Sequence, residues 1–486
     1  MKSILQNTVW ILTLLSSVFV TSQETHYWFH NFGAVSSLKG GIEVGGIRNV
    51  AAVYYNPGAL AFIDGEYFEG QADVFSIDAL TIENAGGELI DLDYFSGDIA
   101  PSILAYLKRS RKNENLTYAF GAMTRYNSNL SFVVEHEQQG NYLSPDVRTD
   151  VFQGQLRYDN RIRESWLMGS FAYKMSERIG LGLGTYFFIR TQDYFSSYVA
   201  SAYPKDERGN PSRQFSSLTS NTEEQKYNGR VTGFIFKPAI DVDLDKLKLG
   251  LTMTTPALSF GLLNNYAFKY QLAYLPDENT QRNYADSHDR YSGVYKTPFS
   301  VNFGAEYDFG KVVLAFATEW FAKIDKYAMI KKNGKSIDPE YPTGPDENYA
   351  IPMMANKSVT NFGFSVIYEI KEWISYIGSF RTDMNFFDDE ALDRGEGFVP
   401  NMTYWDLYHI TSGIKMSNKK LDLTVGIDYG NGSSENDPQF VNMTTAAQSN
   451  FLRGEINNST STQYHNFSFT IGINFNIEKS SEKKSN

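Results

Sequence analysis

The sequence predicts an all-β protein: a transmembrane antiparallel β-barrel of about fourteen strands with a small N-terminal hatch inside its lumen. Three observations lead to this prediction. Apolar and polar residues alternate over long segments, glycine recurs on the polar face of these segments, and short and long connections alternate along the chain. The 486 residues therefore suit one large barrel with a plug rather than several soluble domains.

The alternation is clearest near the C-terminus. From Phe467 to Ile477 every odd position is apolar, and every even position is polar or glycine. The segment from Leu421 to Tyr429 repeats the pattern, as do segments around Leu249 and Phe303. A period of two gives a strand one apolar and one polar face. A soluble β-sandwich produces the same alternation with its apolar face turned inward, so this observation alone fits both folds.

Glycine on the polar face favours the barrel. Glycine weakens a strand that faces solvent, whereas in a barrel lumen the missing side chains leave room for a plug or a ligand. The polar-face glycines are Gly121, Gly182, Gly184, Gly250, Gly304, Gly363, Gly413, Gly426 and Gly472.

Connection lengths favour the barrel as well, because short turns at one rim and long loops at the other are typical of transmembrane barrels. The predicted short turns are Met175–Glu177, Asp241–Asp245, Asp308–Gly310, Lys371–Glu372 and Asn418–Lys420. The predicted long loops are Ser201–Gln225, Ala273–Arg290, Lys331–Lys357, Phe387–Thr403 and Asn431–Thr462. The predicted strand centres are residues 73, 103, 121, 162, 187, 232, 256, 298, 318, 364, 379, 410, 425 and 471.

Composition argues against several other classes of protein. No segment reaches the ~20 apolar residues of a membrane-spanning helix, and a net charge of −12 argues against nucleic-acid binding. The absence of cysteine removes disulfides, thiolate chemistry and a lipoprotein anchor. The six histidines are scattered without metal-ligand spacing. We therefore expect no metal, no cofactor and no enzymatic activity.

The first 22 residues are typical of a secretory signal peptide. Lys2 is basic, Thr8 to Val20 is apolar but too short to span a membrane, and Val20 and Ser22 precede a cleavage site before Gln23. An exported chain without cysteine suits a bacterial envelope.

Residues 23–66 differ from the rest, since Gly33 to Phe62 is rich in small residues and lacks long alternation. Asn56 followed by Pro57 predicts a helix start, with asparagine as N-cap and proline at the first helical position. Taken locally, the pair predicts an ordinary capped turn. A fourteen-stranded barrel is too wide for its own side chains to fill, so a compact segment of this kind would block it.

The run from Gly45 to Leu60 resembles the N-terminal hatch of the outer-membrane long-chain fatty acid and aromatic-hydrocarbon transporter family. Asn56 and Pro57 match the Asn-Pro-Ala motif of that family, and Gly58 stands where alanine is usual. The segments 236–256 and 297–307 are similar to the family's turn between strands six and seven and to its strand eight. The resemblance implies a monomeric plugged barrel that takes up a hydrophobic ligand passively, without nucleotide or metal. It also implies that the hatch rearranges and that the ligand leaves sideways through a gap in the wall.

We therefore expect a signal peptide (1–22), a hatch (23–66), a barrel (67–477) and a polar C-terminal tail (478–486). The expected location is the outer membrane, and the expected partners are its lipids and a hydrophobic small molecule, not nucleic acid. Phe188 and Met123 are candidate ligand-binding residues because they are apolar residues on inward faces.

Three alternatives remain at this stage. The same scaffold could act as a protein-interaction or secretion-partner component of the outer membrane, with its long loops binding protein. A general porin is a second alternative, which a hatch should exclude. A soluble surface lectin is the third.

Overall fold

The computed structural model describes residues 25–143, 150–204, 219–260, 265–275, 282–332, 335–336, 351–392, 404–418 and 421–476. The predicted signal peptide and the predicted polar tail lie outside these residues. The described chain begins with two short α-helices, α1 (Ala34–Leu38) and α2 (Ala52–Tyr55), and a 3-10 helix (Pro57–Phe62). No helix among the described residues is long and apolar enough to cross a membrane.

Strands make up most of the remaining described chain, and two further 3-10 turns (Met443–Thr445 and Gln448–Asn450) precede the last of them. The strands are β1 (Glu66–Glu83), β2 (Leu92–Arg109), β3 (Leu116–Gly140), β4 (Asp150–Lys174), β5 (Ile179–Pro204), β6 (Thr219–Leu244), β7 (Leu247–Thr254), β8 (Leu258–Ser259), β9 (Asn265–Leu275), β10 (Arg282–Gly293), β11 (Ser300–Asp308), β12 (Val312–Phe321), β13 (Ile324–Ala328), β14 (Ile330–Lys332), β15 (Lys335–Ser336), β16 (Met353–Asn356), β17 (Val359–Lys371), β18 (Ile374–Asp383), β19 (Asp406–Ser417), β20 (Leu421–Pro438) and β21 (Asn458–Asn476).

Fourteen of the described strands form a closed antiparallel ring. The order around the ring is β1, β2, β3, β4, β5, β6, β7, β11, β12, β17, β18, β19, β20 and β21. The last strand pairs with the first from Tyr67↔Asn476 to Glu83↔Ser461. Closure satisfies the backbone amides that an open sheet edge would leave unpaired in lipid. The predicted fold class and the predicted strand number are confirmed.

The two faces of the wall differ as the alternation predicts. On β21, Phe467 and Phe469 are each 50% exposed, whereas Thr470, which lies between Phe469 and Ile471, is buried. Exposed phenylalanine and isoleucine on the outward face form an apolar belt, and the inward face of β21 from Asn466 to Gly472 is polar or glycine. This is the reverse of a soluble sandwich, in which the apolar face is covered.

Two predicted strand centres, residues 256 and 298, fall just outside the strands. Strand β7 ends at Thr254 and β11 begins at Ser300, so Pro256 and Pro298 both lie in the connection. Proline has no N–H to donate to a ladder, which explains why the regular pairing stops before one proline and resumes after the other.

The wall is also taller than predicted on one side. Strands β3 to β6 have 25 or 26 residues, whereas β7, β11 and β12 have 8 to 10. A strand of 26 residues is about 86 Å long, far more than the 9–11 residues that cross a bilayer. Parts of the predicted loops 201–225, 273–290 and 431–462 are therefore strand. Their composition is polar because a strand outside the membrane has water on its outer face.

We call the edge with connections such as 175–178 and 309–311 the short-turn rim, and the opposite, taller edge the extended rim. The chain reaches β1 at the short-turn rim, after passing through the lumen.

Candidate functional site

The hatch, taken here as residues 25–65, rests on glycines of the inner barrel wall. A Cβ atom on Gly250 of β7 would overlap the carbonyl oxygen of Val44, and one on Gly304 of β11 would lie 2.6 Å from the amide nitrogen of Gly45. Glycine is therefore required at these positions because the backbone of the hatch approaches the wall too closely for any side chain. Gly180 and Gly182 lie in the same way against the backbone of Pro57 and Gly58. Three further glycines lie against hatch side chains, Gly363 against Ile42 and both Gly413 and Gly426 against Leu38.

The predicted role of polar-face glycines as room for a plug is thus confirmed at most of the predicted positions. Gly121 is different, since a Cβ there would lie 2.9 Å from the carbonyl oxygen of Leu104 and from the Met168 side chain, not against the hatch. At Gly184 the hatch contact is looser, with the Pro57 ring 3.2 Å from a Cβ position.

Asn56 joins two segments of the hatch to the wall. It is fully buried and caps the 3-10 helix that Pro57 begins, because its Oδ1 accepts a hydrogen bond of 3.0 Å from the amide of Gly58. Its Nδ2 donates to the carbonyl oxygen of Val44 at 2.7 Å and to Asp241 of β6 at 3.1 Å. The Asn-Pro pair therefore starts a helix where the sequence predicts one, and the same asparagine also anchors the hatch.

Gly58 fits this contact more closely than alanine would. A Cβ atom at this position would lie 3.0 Å from the amide nitrogen of Asp241 and 3.1 Å from the carbonyl oxygen of Gly180. These are backbone atoms of two neighbouring strands, so the wall would have to shift by a few tenths of an ångström. The departure from the Asn-Pro-Ala motif is thus explained by close approach of the hatch to β5 and β6.

Buried ion pairs hold the hatch at two further points. Lys39 contacts Glu43 at 2.6 Å and Glu306 of β11 at 2.9 Å, and all three side chains are buried. Burial alone would lower the pKa of Lys39, but the two carboxylates outweigh burial and raise this pKa above its ordinary value. Arg48 contacts Asp241 at 2.9 Å and Asp243 at 2.9 Å. We call these ion pairs, Asn56 and the glycine contacts the hatch seat.

A lumenal cavity of about 120 Å³ lies between the hatch and the wall. Its hatch side includes Gly40, Gly41, Tyr54 and Tyr55, and segment 26–31 also contributes. An engineered cavity of about 150 Å³ is enough for benzene, so this space fits roughly one aromatic ring or a short piece of an alkyl chain.

Aromatic rings form much of the cavity lining, and several of them stack on one another. The Tyr27 ring lies 4.2 Å from both Phe321 and Phe386, and Trp166 stacks on Tyr186 at 5.1 Å. Other aromatic residues that line the cavity are Trp28, Tyr54, Tyr55, Tyr126 and Tyr295. Rigid rings provide a large apolar contact area at low conformational cost.

Two cations of the lining are not matched by carboxylates. Lys237 of β6 donates to the carbonyl oxygen of Tyr54 at 2.9 Å and lies 4.3 Å from the centre of the Tyr54 ring. Arg125 of β3 donates to the carbonyl oxygen of Tyr27 at 2.7 Å and faces the Trp166 ring at 5.9 Å. In the described part of the chain neither forms an ion pair with a carboxylate.

The acidic residues of the lining are already engaged. Glu164 pairs with Arg190 at 3.0 Å and accepts from Trp166 at 2.7 Å. Glu319 accepts from Trp28 at 2.8 Å and also from the side chains of Ser300 and Asn302. The lining therefore combines aromatic rings with polar side chains, and it carries positive charge at Lys237 and Arg125.

Burial controls the protonation of two histidines that line this cavity. The Nε2–H group of His26 donates to the carbonyl oxygen of Trp405 at 3.0 Å, and burial lowers the pKa of His26 to about 3. Burial lowers the pKa of His30 to about 3 as well, with Arg125 and Arg381 adding to the effect. Both imidazoles are therefore neutral near pH 7.

The sequence-predicted ligand residues lie beside the cavity and do not line it. Phe188 is fully buried in an apolar cluster with the hatch, and its ring lies 6.2 Å from that of Tyr295. Met123 belongs to the same cluster. Their role in ligand binding stays a prediction. Sequence reasoning missed Arg125, Tyr54 and Lys237 as site residues, although Lys237 lies within the segment 236–256 that the resemblance singled out.

Next to the cavity, the pairing between two neighbouring strands of the barrel wall, β2 and β3, is interrupted, and we call this the parted wall. Strand β2 pairs with β3 only from Ile103↔Met123 to Arg109↔Thr117, and beyond Met123 the paired neighbour of β3 is β4 alone among the described residues. The β3–β4 register shifts between Thr124 and Tyr126, around Arg125. Farther along, the Tyr94 hydroxyl donates to the carbonyl oxygen of Asn129 at 3.0 Å, so the parted segment has a closed upper end.

No group of three or more histidine, aspartate or glutamate side chains suited to holding a metal occurs in the described ranges.

A closed fourteen-stranded barrel with an N-terminal hatch defines a class of transmembrane β-barrel. No protein-family model matches the sequence, and no curated protein matches it. Solved structures do match the fold. A Pseudomonas aeruginosa FadL homologue superimposes with a TM-score of 0.58 at 13% identity, covering 93% of this chain and 100% of that one.

Two further structures give a similar result. The P. putida toluene transporter TodX has a TM-score of 0.57 at 12% identity, covering 92% of this chain and 99% of TodX. The CymD monoaromatic hydrocarbon channel has a TM-score of 0.51 at 10% identity, covering 92% and 98%. Identity at this level establishes a common fold, which is the fold that the hatch resemblance predicted.

Proposed function

We propose that this protein carries hydrophobic molecules passively across the outer membrane, through binding in the lumenal cavity and a rearrangement of the hatch. The observation that carries the proposal is the aromatic cavity held between a plugged lumen and a parted wall. A water-filled porin has no need of either feature. Two solved proteins with this fold, a toluene transporter and a monoaromatic hydrocarbon channel, are consistent with this ligand class.

Within that class, the cavity favours molecules that combine an apolar body with an anionic group, such as long-chain fatty acids. The rings of Tyr54 and Trp166 offer apolar contact, and Lys237 and Arg125 offer positive charge without a carboxylate partner in the described chain. A buried cation is strongly favoured to take up an anion, because a charge-assisted hydrogen bond in a dry site is about twice as strong as a neutral one. Uncharged aromatic hydrocarbons would use the rings alone.

The parted wall between β2 and β3 supports a sideways route out of the lumen. Arg125 follows the last β2–β3 pair by two residues and lines the cavity. A ligand held at the cavity is therefore next to the place where the two strands separate. The hatch then needs only a local movement to let it pass towards the bilayer.

The proposed placement follows from the same features. The extended rim faces the outside of the cell and the short-turn rim faces the periplasm. The chain is exported with a cleavable signal peptide (1–22), the hatch spans 23–66, the barrel spans 67–477 and the tail spans 478–486. The ring closes with the chain's own strands, which supports a monomer surrounded by outer-membrane lipid.

The first test is to identify the native ligand. The protein is purified from membranes, bound lipid is extracted, and the extract is analysed by mass spectrometry. We expect a fatty acid or another amphiphile at about one per barrel. A lumen that holds only detergent, together with normal uptake in a deletion strain, would overturn the proposal. Recovery of secretion components in pull-downs would favour the protein-interaction alternative.

The second test separates the two ligand types. Lys237→Met removes one of the two cavity cations that have no carboxylate partner among the described residues, and it keeps the length of the side chain. We expect uptake of radiolabelled oleate to fall at least tenfold, while toluene uptake changes less than twofold. Lys371→Met is the matched control, because Lys371 lies at the short-turn rim against Trp373. Equal oleate uptake by Lys237→Met and Lys371→Met would show that the cavity does not select ligands with an anionic group.

A further inference from the structure

The outward face of the barrel changes from apolar to basic along β4. Phe171 and Leu167 on this face are 50% and 58% exposed, as expected for residues that contact lipid. The next outward residues towards the extended rim are Ser165, Arg163 and Arg161, all exposed. On β4 the apolar belt therefore ends at Leu167, and the two arginines follow after one serine.

The strand register brings basic residues of β6 to the same level. Arg163 is paired with Thr191 of β5, and Thr191 is paired with Arg230 of β6. The two arginines thus flank one threonine in a single row, with Cα atoms about 10 Å apart, or two strand spacings. Arg161 lies one row higher, and Lys226 of β6 lies one row above that. We call Arg161, Arg163, Lys226 and Arg230 the basic patch.

Acidic residues near the patch offset only part of its charge. Asp159 is paired with Arg157 at 2.7 Å, whereas Asp193 lies opposite Arg161 in the strand register and keeps its negative charge while it accepts a hydrogen bond from Asn228. Among the described residues Arg163, Lys226 and Arg230 form no ion pair. Beyond β6 the register places Asn265, Ala267 and Lys269 of β9 opposite this region, and none of these is acidic.

The positive charge is local to this side of the barrel. The chain as a whole carries a net charge of −12. On the opposite side, exposed residues of β1, β2 and β20 above the belt include Glu83, Asp93 and Glu435. A patch of four cations is therefore not a consequence of overall composition.

The height of the patch points to lipid headgroups. Arg163 is four residues above Leu167, or about 13 Å along the strand and about 10 Å in height for a strand tilted by about 40°. Arginine reaches several ångströms down from its backbone, which brings the guanidinium groups to the level of the headgroups. The planar guanidinium binds phosphate oxygens with paired hydrogen bonds, so phosphate is the matching anion.

We propose that the basic patch binds the phosphate group of a lipid in the outer leaflet, with Arg163 and Arg230 as its principal contacts. The proposal rests on the outer-membrane placement given above but not on the identity of the transported molecule. A lipid is favoured over an acidic protein because the patch begins two outward residues above the apolar belt, where a bulky partner would meet the bilayer first.

The test is a binding titration by native mass spectrometry, using the detergent-solubilised full chain and diphosphoryl lipid A as probe. Arg163→Gln with Arg230→Gln is expected to weaken lipid A binding at least tenfold. Arg178→Gln with Lys246→Gln is the matched control, since both residues are exposed at the short-turn rim and remove the same charge. Heat-modifiable migration on gels checks that each variant is a folded barrel.

Further arms identify what is bound. Dephosphorylated lipid A should bind wild type no more tightly than the double glutamine variant, and Arg163→Lys with Arg230→Lys should restore part of the binding. Equal binding by wild type and the glutamine variant overturns the proposal, as does equal binding of the dephosphorylated probe. Displacement by inorganic phosphate as effective as by lipid A overturns it in favour of a free-anion site. A photo-crosslinker at position 161 should give a lipid-sized adduct in cells, and a protein-sized adduct would overturn the lipid assignment.

The readout is independent of transport. If oleate uptake and bound-ligand analysis fail while lipid A binding holds, the transport proposal fails and the lipid site stands. The reverse result leaves transport standing and removes the lipid site.

Discussion

The lumen is filled in two different ways at its two ends. Towards the short-turn rim, the hatch seat holds the plug with buried ion pairs, a buried asparagine and backbone contact against glycine. Towards the extended rim, an aromatic cluster fills the space, with Phe132 stacked on Tyr158 at 5.1 Å and Tyr194 stacked on Tyr227 at 5.1 Å. We call this second region the upper cluster. The cavity lies between the upper cluster and the hatch seat.

The difference concerns how each region can respond to a ligand. The hatch seat depends on directional contacts that one arrangement satisfies, so it fixes the plug in position. The upper cluster includes Met443 and Leu452 from the connection between β20 and β21, both fully buried. Apolar packing is non-directional and tolerates repacking, so we expect the upper cluster to open for a ligand while the seat holds.

The largest effect is expected from filling a glycine of the seat. Gly250→Ala places a methyl group on the carbonyl oxygen of Val44, which cannot move without moving the hatch. We expect the hatch to be displaced, at a cost above the 1–3 kcal/mol of ordinary overpacking. Planar-bilayer recordings should then show a stable open conductance. Gly169→Ala is the control, because a Cβ there has nothing nearer than Phe120 at 3.8 Å. A Gly250→Ala barrel that shows no open conductance would refute the inference that the hatch backbone lies too close to Gly250 for any side chain.

The next effect is expected from the buried ion pairs. Lys39→Met leaves Glu43 buried without a cation and leaves Glu306 with only its longer contact to Lys248 at 3.4 Å, which costs about 3–5 kcal/mol. Limited proteolysis and thermal unfolding should show earlier release of the hatch. Lys415→Met breaks the exposed pair with Asp422, where each side chain is 29% exposed, and should cost no more than about 1 kcal/mol. Similar losses in the two variants would contradict a special role for the seat.

A smaller and spatially separate effect is expected in the upper cluster. Met443→Ala removes a fully buried side chain and should cost about 2–3 kcal/mol, because the surrounding loop can partly collapse. Hydrogen exchange should rise in segment 438–457, with no change in conductance. Met175→Ala, at a residue that is 63% exposed on the short-turn rim, is the control. An open conductance in Met443→Ala would mean that the two regions are not independent.

The last effect, which is the smallest near neutral pH, is a pH dependence at the start of the hatch. Burial holds the pKa of His26 and His30 at about 3, below the ordinary 6.5, so the unfolded segment binds protons more readily than the folded one. The stabilisation is complete above about pH 6.5 and is lost as pH falls towards 3. Hydrogen exchange of segment 25–31 should therefore rise over this window, while the Lys39 contacts persist.

Substitution of His30 tests the predicted direction of this pH dependence, in which hydrogen exchange rises as pH falls. His30→Gln should flatten the acid response of segment 25–31, whereas His136→Gln, at a partly exposed residue of β3 far from the hatch in the chain, should leave the response unchanged. The positively charged neighbours Arg125 and Arg381 face His30 and strengthen the response. A pH-independent segment, or an equally steep response in His30→Gln, would show that the histidines do not control it.

Strand number and face could be predicted because they are local properties. The alternation around Phe467 and Leu423 fixes which residues face lipid, and a period of two is visible within nine residues. The helix start at Asn56 is also local, since capping depends on a residue and the amide two positions later. The ends of the strands were harder to predict, because a polar segment is compatible both with a loop and with a strand that extends beyond the membrane.

The cavity could not be predicted in the same way. Lys237 and Tyr54 are 183 positions apart in the chain, and Trp28 and Glu319 are 291 apart. These contacts depend on how the strands are staggered when the barrel closes, which no local pattern records. Met123 and Phe188 illustrate the limit: their inward direction was inferred correctly, but their height relative to the cavity was not available.

The sequence alone determined that this chain forms a plugged, lipid-facing barrel. Periodicity, glycine placement and the Asn-Pro pair are relations between residues that lie close together in the chain, so the sequence shows them directly. The tertiary structure decided which part of the hatch rests on which glycine, where the wall parts and which charges face the cavity. The physical reason is that these features arise from register and closure around fourteen strands. A shift of one residue in any strand would turn its side chains to the other face.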